Sequence, residues 1–387
     1  MLARLLPLVL ACTPDIRSLY DAERAIALAV ASDTPSAWHP DLSVQIATPA
    51  FESVVETAVS AALSADRDPI KLSLMIATAE LRPKLTARKA QVSPSNACAA
   101  CLAFDTDING KVRWEVGGVG ASFPLDLSAK GAMELRIVEG KRLEARVHHI
   151  GKIALKLKDI GDLKANPSEE LQGWIRDALS DRLPPIPLTE LDTRSFPARD
   201  LRIVTSGDAL SLEVLTDVPG AKPVAPLAVP KSGFQLLVSE SALTGLARRQ
   251  AFEAGKVAYE VAIDPRAIHV DGTEFTMGLR LWRLVGRGWW RDYTITGTLG
   301  VADGKVKLTP KDVVEAGKSR GADFVDPLVA LVQARILDAI ADAIDRSLPA
   351  HKAATVAGTR MRAVVTAVRG QDETLVVSGT LTAEAPR

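Results

Sequence analysis

Apolar residues recur along this chain with two periods. Alternation of period two predicts strands at 42–46, 201–204, 210–215, 234–238, 257–263, 275–284, 293–299, 305–308, 364–368 and 375–382. Helical spacing predicts four helices. The first opens at Thr48-Pro49, an N-cap followed by Pro in the first turn, and carries Phe51, Val54, Val55, Ala58, Ala62 and Leu63 on one face. The second opens at Asn166-Pro167, with Glu169 placed for a capping box. Its face is Leu171, Trp174, Ile175, Ala178, Leu179 and Leu183, and Pro184-Pro185 ends it. The third follows Ser239 and bears Leu243, Leu246 and Ala247. The fourth is capped by Asp326-Pro327 and keeps Leu328, Ile336, Ile340, Ile344 and Leu348 on one side. Long β regions separate the helices in each pair, with turns expected at Asn109-Gly110, Glu139-Gly140, Asp271-Gly272 and Asp303-Gly304.

The order strand, helix, meander, helix, strand thus occurs twice. The helix endings echo one another: Ile175 to Pro184 reads IRDALSDRLP, and in the second half Ile340 to Pro349 reads IADAIDRSLP. The proline-rich stretch 219–231 is extended and stiff, and separates the copies. The division expected is a signal segment over 1–11, a tether over 12–40, a first module over 41–218 and a second over 232–387. Hairpin-linked strands make antiparallel sheets whose apolar face must be covered. The class is α+β.

Composition narrows the function. Forty-seven basic residues balance 47 acidic ones, and no dense Lys/Arg block stands out, so nucleic acid is not an expected partner. At the N-terminus, Met1 to Arg4 supplies a short positive end. Leu5 to Ala11 is an apolar run too short to span a bilayer, and shorter than the usual ~15–30 residues of an export signal. The order Val9-Leu10-Ala11-Cys12 resembles the lipobox of bacterial lipoproteins. That resemblance implies lipid attachment at Cys12, a membrane held through the anchor, and, with Thr13 following, an outer-membrane address facing the periplasm.

The duplicated order of elements across 42–383 resembles the tubular lipid-binding superfamily, which includes bactericidal/permeability-increasing protein. The fragment carrying most of this likeness is the helix ending in Leu183-Pro184 and again in Leu348-Pro349 before a strand. The resemblance implies two tandem modules, each a curved antiparallel sheet wrapped around long amphipathic helices, with an apolar seam that accepts acyl chains. The positions implied to line it are Val54, Val55, Ala58, Trp174 and Ile175 in the first module, and Leu243, Leu246, Ile340 and Ile344 in the second. Spacing alone makes these stripes ordinary core. The implied function is binding or shuttling of a lipid or other apolar ligand. A structural or assembly lipoprotein acting through an envelope protein partner is the alternative.

Chemistry-bearing residues give little else. Cys98 and Cys101 read as a local disulfide closing a loop, since a redox motif would open a helix after a strand. Asp105 to Gly110 imitates half of a calcium loop, but Val116 stands where the bidentate Glu belongs. His148 and His149 are adjacent, so on a strand they point to opposite faces. No nucleophile elbow or phosphate loop is present. No enzyme, cofactor or metal is therefore expected. The most unusual stretch, Leu279 to Tyr293, holds three Trp and four Arg around a Gly-Arg-Gly turn. Arg287, Trp289 and Trp290 are candidates for membrane contact. The competing reading puts Trp282 in the core with the arginines solvating the strand.

Overall fold

The computed structural model describes residues 15–31, 37–52, 55–56, 59–60, 63, 70–73, 78–116, 119–139, 142–156, 173, 186–190, 198–206, 208–228, 232–258, 260–319, 354–356 and 359–384. Helix α1 (Ile16–Ala27) is followed by strand β1 (Leu42–Ala47) and a 3-10 turn over Thr48–Phe51 with Pro in its first turn. Residues 52, 55, 56, 59, 60 and 63 are helical beyond it. A meander of β2 (Ile70–Ser73), β3 (Thr78–Ser95), β4 (Cys101–Val116), β5 (Val119–Val138), β6 (Arg142–Lys156) and β7 (Ile186–Glu190) forms a six-stranded antiparallel sheet. After β8 (Ala198–Ser206), β9 (Ala209–Thr216) and β10 (Phe234–Ser239) comes helix α2 (Glu240–Ala254). Its N-cap Ser239 side chain accepts from the Ala242 amide. Strands β11 (Lys256–Ala258), β12 (Val261–Asp271), β13 (Glu274–Arg283), β14 (Trp289–Ala302) and β15 (Lys305–Lys318) form a five-stranded sheet. The chain closes with β16 (Ala354–Val356), β17 (Thr359–Gln371) and β18 (Thr374–Glu384).

The remaining strands build a seven-stranded sheet in the order β16-β17-β18-β10-β1-β9-β8, which draws from both sides of the proline-rich stretch. At its centre β1 and β10 pair antiparallel about Val44 opposite Leu236. The outer hairpins carry equivalent pairings: Ile203 faces Leu212 between β8 and β9, and Val368 faces Val377 between β17 and β18. The offset along the chain from Ile203 to Val368, and from Leu212 to Val377, is the same as that from Ile175 to Ile340.

Two large apolar cores result. The first fills the six-stranded sheet with Val55, Val59 and Leu63, which meet Leu85, Leu102, Ile108 and Leu125. The second lies between the central sheet, the five-stranded sheet and α2, and is built from Val44, Leu212, Leu236, Leu243, Leu281, Ile295, Val377 and their neighbours. Strand alternation sets these faces: every second residue of β14 from Trp289 to Leu299 is buried.

The expected class, with modules wrapped around long amphipathic helices, is corrected here. Among the described residues strands dominate, and the two bounded α-helices have 12 and 15 residues. Neither is wrapped by a sheet. Strands of 18, 16, 20 and 15 residues from β3 to β6 supply the bulk of the first body, and sheet faces sheet around the second core. The helices expected from 166 to 183 and from 327 to 348 lie outside the described residues, apart from Gly173, which is helical.

Two local expectations also change. The segment read as a tether contains α1, whose Tyr20 and Ala27 are buried in a third, small core with Phe252, Ala262 and Trp282. Asn109-Gly110 is not a turn but lies inside β4, with Gly110 opposite Leu85 on one side and Leu125 on the other. A Cβ at Gly110 would sit 2.0 Å from the Lys84 carbonyl oxygen, so this glycine serves close strand approach. The turns at Asp271-Gly272 and Asp303-Gly304 do close hairpins, and both residues of the latter have positive φ.

Candidate ligand-binding site

The two large cores meet along a line of three isoleucines. Ile46 on β1, Ile137 on β5 and Ile203 on β8 each pack against both cores, and each stays partly exposed. Their positions follow from register. Ile46 stands opposite Leu210, and Ile203 opposite Leu212, so both project from the face of the central sheet that also carries Val44. Ile137 arrives from the other sheet, opposite Leu143.

The turn between β3 and β4 braces this junction. Cys98 and Cys101 are joined in a disulfide there. Within the loop they close, the Ala99 carbonyl accepts from the Thr205 hydroxyl at 3.4 Å and the Ala100 carbonyl accepts from the Leu135 amide at 3.0 Å. Thr205 follows Ile203 on β8 and Leu135 precedes Ile137 on β5, so the turn ties the two strands together beside the seam. The surface offered is aliphatic, and its chemistry is burial. No group of three or more His, Cys, Asp or Glu that would hold a metal occurs among the described residues. His148 and His149 stand with ring centroids 5.8 Å apart, and both are exposed.

Of the lining positions named from sequence, Val55, Leu243 and Leu246 fall among the described residues. Val55 is buried in the first core, on a helical stretch tied to β3 where Glu56 accepts from the Ala90 amide and Ser60 from the Ala87 amide. Leu243 is buried in the second core, and Leu246 is half-buried on α2. Val54, Ala58, Trp174, Ile175, Ile340, Ile344 and Cys12 lie outside the described residues. The seam isoleucines were not singled out from sequence. Alternation marks each as inward-facing, but nothing local says that two cores meet there.

The Trp- and Arg-rich stretch forms the β13–β14 hairpin and uses both faces of its sheet. Trp289 is buried in the second core with Leu279, Leu281 and Tyr293. On the opposite face Arg280 pairs with Asp292 through two bonds of 2.5 and 2.7 Å, and its guanidinium lies 4.1 Å from the Trp290 ring and 5.1 Å from that of Trp282. Trp290 is half-buried there, and Arg287 is exposed on the turn.

A second group of polar residues surrounds α2. Arg248 donates to fully buried Asp264 through Nε at 2.7 Å and Nη2 at 3.2 Å, and to Glu23 of α1 at 2.8 Å. Glu23 also accepts from Arg266 at 2.9 Å. Burial would raise the Glu23 carboxyl, but the bond from Arg248 and the nearby arginine charges outweigh it and hold it below the usual carboxylate value. A cleft of about 620 Å³ lies between these residues and the proline-rich stretch, which covers it from Val218 to Pro226. Its charges are paired within the lining or with neighbours: Lys222 with Glu373 at 2.8 Å, and Glu240 with the Val270 amide at 2.7 Å and with His269. This arrangement holds α1 and the strap in place.

Comparison with known proteins adds likenesses of shape. No protein-family model matches the chain, and no curated protein matches it in sequence. Among solved structures, a lipopolysaccharide binding protein is similar over 90% of this chain and 100% of its own, with a TM-score of 0.37 and 11% identity. P47 of Clostridium botulinum E1 is similar over 89% of this chain and 100% of its own, with a TM-score of 0.41 and 8% identity. Likenesses with TM-scores below one half carry no argument about fold or function.

Proposed function

We propose that this protein is an exported, non-enzymatic carrier, built as two related halves, that holds a lipid or other apolar molecule against the seam between its cores. The observation supporting this reading is the partial exposure of Ile46, Ile137 and Ile203 where both cores come together. An acyl chain laid there gains from each methylene it removes from water, about 0.8 kcal/mol apiece, so ten methylenes supply roughly 8 kcal/mol before ordering costs. No polar anchor is required. In this reading Cys12 carries the lipid that fixes the protein to the outer membrane, and the body faces the periplasm.

Mass spectrometry of the protein purified without denaturant, together with uptake of a fluorescent fatty acid, tests the carrier. Ile137→Asp and Ile203→Asp are expected to reduce uptake while leaving the circular dichroism of the sheets unchanged. Repeated absence of co-purified lipid together with no uptake sinks this reading and leaves a packed scaffold acting through a protein partner. Separately, Cys12→Ser is expected to release the protein from membranes washed at high salt; unchanged fractionation after that wash rules out the anchor.

A further inference from the structure

The anchor proposed at Cys12 and an exposed cationic turn are held at the same end of the molecule. Only Thr13, Pro14 and Asp15 stand between Cys12 and Ile16, a reach of at most about 14 Å even when fully extended. Ile16 lies against the β13–β14 turn, since a Cβ placed on Gly288 would come within 3.0 Å of Ile16 Cβ. Whatever holds Cys12 therefore also holds this turn close by. Docking of α1 makes the position rigid. Tyr20 lies in the small core with Phe252 and Trp282, Glu23 is bound by Arg248 and Arg266, and Arg249 pairs with Asp217 beyond the helix end while donating to the Ala29 carbonyl.

The turn itself is shaped to protrude. Gly286 and Gly288 both take positive φ, and the Gly288 amide closes on the Val285 carbonyl. The tip so formed carries Val285 at 44% exposure, flanked by Arg283 and Arg287, both exposed. Arg17, in the first turn of α1, is exposed at the same end. The tryptophans of the hairpin are taken up by packing, so an aliphatic tip with flanking guanidinium groups is what remains.

We infer that this end, formed by the first turn of α1 and the β13–β14 turn, docks on a bilayer surface bearing anionic headgroups. Arg17, Arg283 and Arg287 meet the phosphates, and Val285 enters the interface. The inference rests on the anchored-carrier reading for its choice of partner: a lipid at Cys12 brings a bilayer within reach of the tip. Guanidinium groups suit phosphate through paired donors, and their attraction to a negative leaflet fades within a Debye length of the surface.

The test uses the full chain with Cys12→Ser, so that no attached lipid contributes. Sedimentation with phosphatidylcholine vesicles is compared with and without phosphatidylglycerol, at low and at physiological salt. Binding is expected only where phosphatidylglycerol is present, and is expected to weaken with salt. Arg283→Glu with Arg287→Glu should lower partitioning by roughly 30-fold or more, because each basic residue near such a surface is worth about fivefold. Arg82→Glu with Arg113→Glu makes the same change in net charge on exposed positions of β3 and β4 and should leave binding unchanged. Equal loss in both double variants, or no binding to the anionic vesicles, overturns the inference. Fatty-acid uptake on the same preparations separates the two proposals. Vesicle binding without uptake sinks the carrier and leaves the docking face, whereas uptake without vesicle binding sinks the docking face alone.

Discussion

Replacing Asp264 by Ala tests whether the charges beneath α2 act as one unit. The Asp264 side chain has no exposure and that of Arg248 only 16%, so both were taken out of water on folding. Their two-point contact and the further bond from Arg248 to Glu23 offset that cost. Asp264→Ala leaves the guanidinium buried with Glu23 alone. Breaking a buried pair by removing one partner costs about 3–5 kcal/mol, and the remaining carboxylate places this case at the lower end, near ~3 kcal/mol. The double variant Asp264→Leu, Arg248→Met removes both desolvated charges and should cost only about 1 kcal/mol, far less than the two single changes added together. Urea unfolding followed by tryptophan fluorescence reads this region, because Trp282 lies in the small core packed beside it. A single variant costing under about 1 kcal/mol, or a double variant equal to the sum of the singles, would refute the coupling. The same network sets an acid limit. The Glu23 carboxyl is held below its usual value, so its stabilisation is present above the unfolded pKa of about 4.3 and is lost as pH falls through the lower folded value. Glu23→Gln should flatten that acid-side loss.

Three further outcomes are expected. Gly110→Ala places a Cβ 2.0 Å from the Lys84 carbonyl and should destabilise by at least about 2 kcal/mol, measured as a lower urea midpoint. Asp41 is buried, and although it accepts from the Thr216 amide at 2.9 Å and hydroxyl at 2.6 Å, burial pushes its carboxyl above the ordinary value. Its stabilising contribution is therefore full below the unfolded pKa and lost as pH rises through the folded one, so Asp41→Asn should raise the melting temperature at neutral pH and not in acid. The bond from His269 to Glu240 raises the His269 pKa. A titration of His269 by nuclear magnetic resonance should show that rise and its disappearance in Glu240→Gln, and the stabilisation from this pair should fade as pH climbs through the raised value.

Much of the local structure was legible because it depends on neighbours in sequence. The strand ending in Ser239, its N-cap and the helix bearing Leu243 follow from alternation, a hydroxyl cap and helical spacing, and the structure has all three. Asp303-Gly304 was readable as a hairpin because a two-residue turn needs positive φ at both positions, which Asp and Gly tolerate. Asn109-Gly110 presents the same kind of dipeptide signal and lies inside a strand. Gly110 answers to the backbone of β3 passing beside it, a partner outside its own strand. Likewise α1 lacks a long apolar run, and only Phe252, Trp282, Arg248 and Arg266, from the far half of the chain, give its Tyr20 and Glu23 somewhere to go.

By itself, then, the sequence determined which faces of its described strands and of α2 are apolar, where the turns at Asp271-Gly272 and Asp303-Gly304 fall, and that similar ten-residue segments occur in both halves. Those are properties of dihedral preference and periodicity, which act over a few residues. Only the tertiary structure decided that β1 and β10 pair across the proline-rich stretch, that sheets rather than long helices supply most of the described frame, and that Ile46, Ile137 and Ile203 meet between two cores. An alternating strand specifies an inward face but not the surface it will find there. That surface is chosen by the packing of the whole chain, when each sheet must bury its apolar side against something of matching shape.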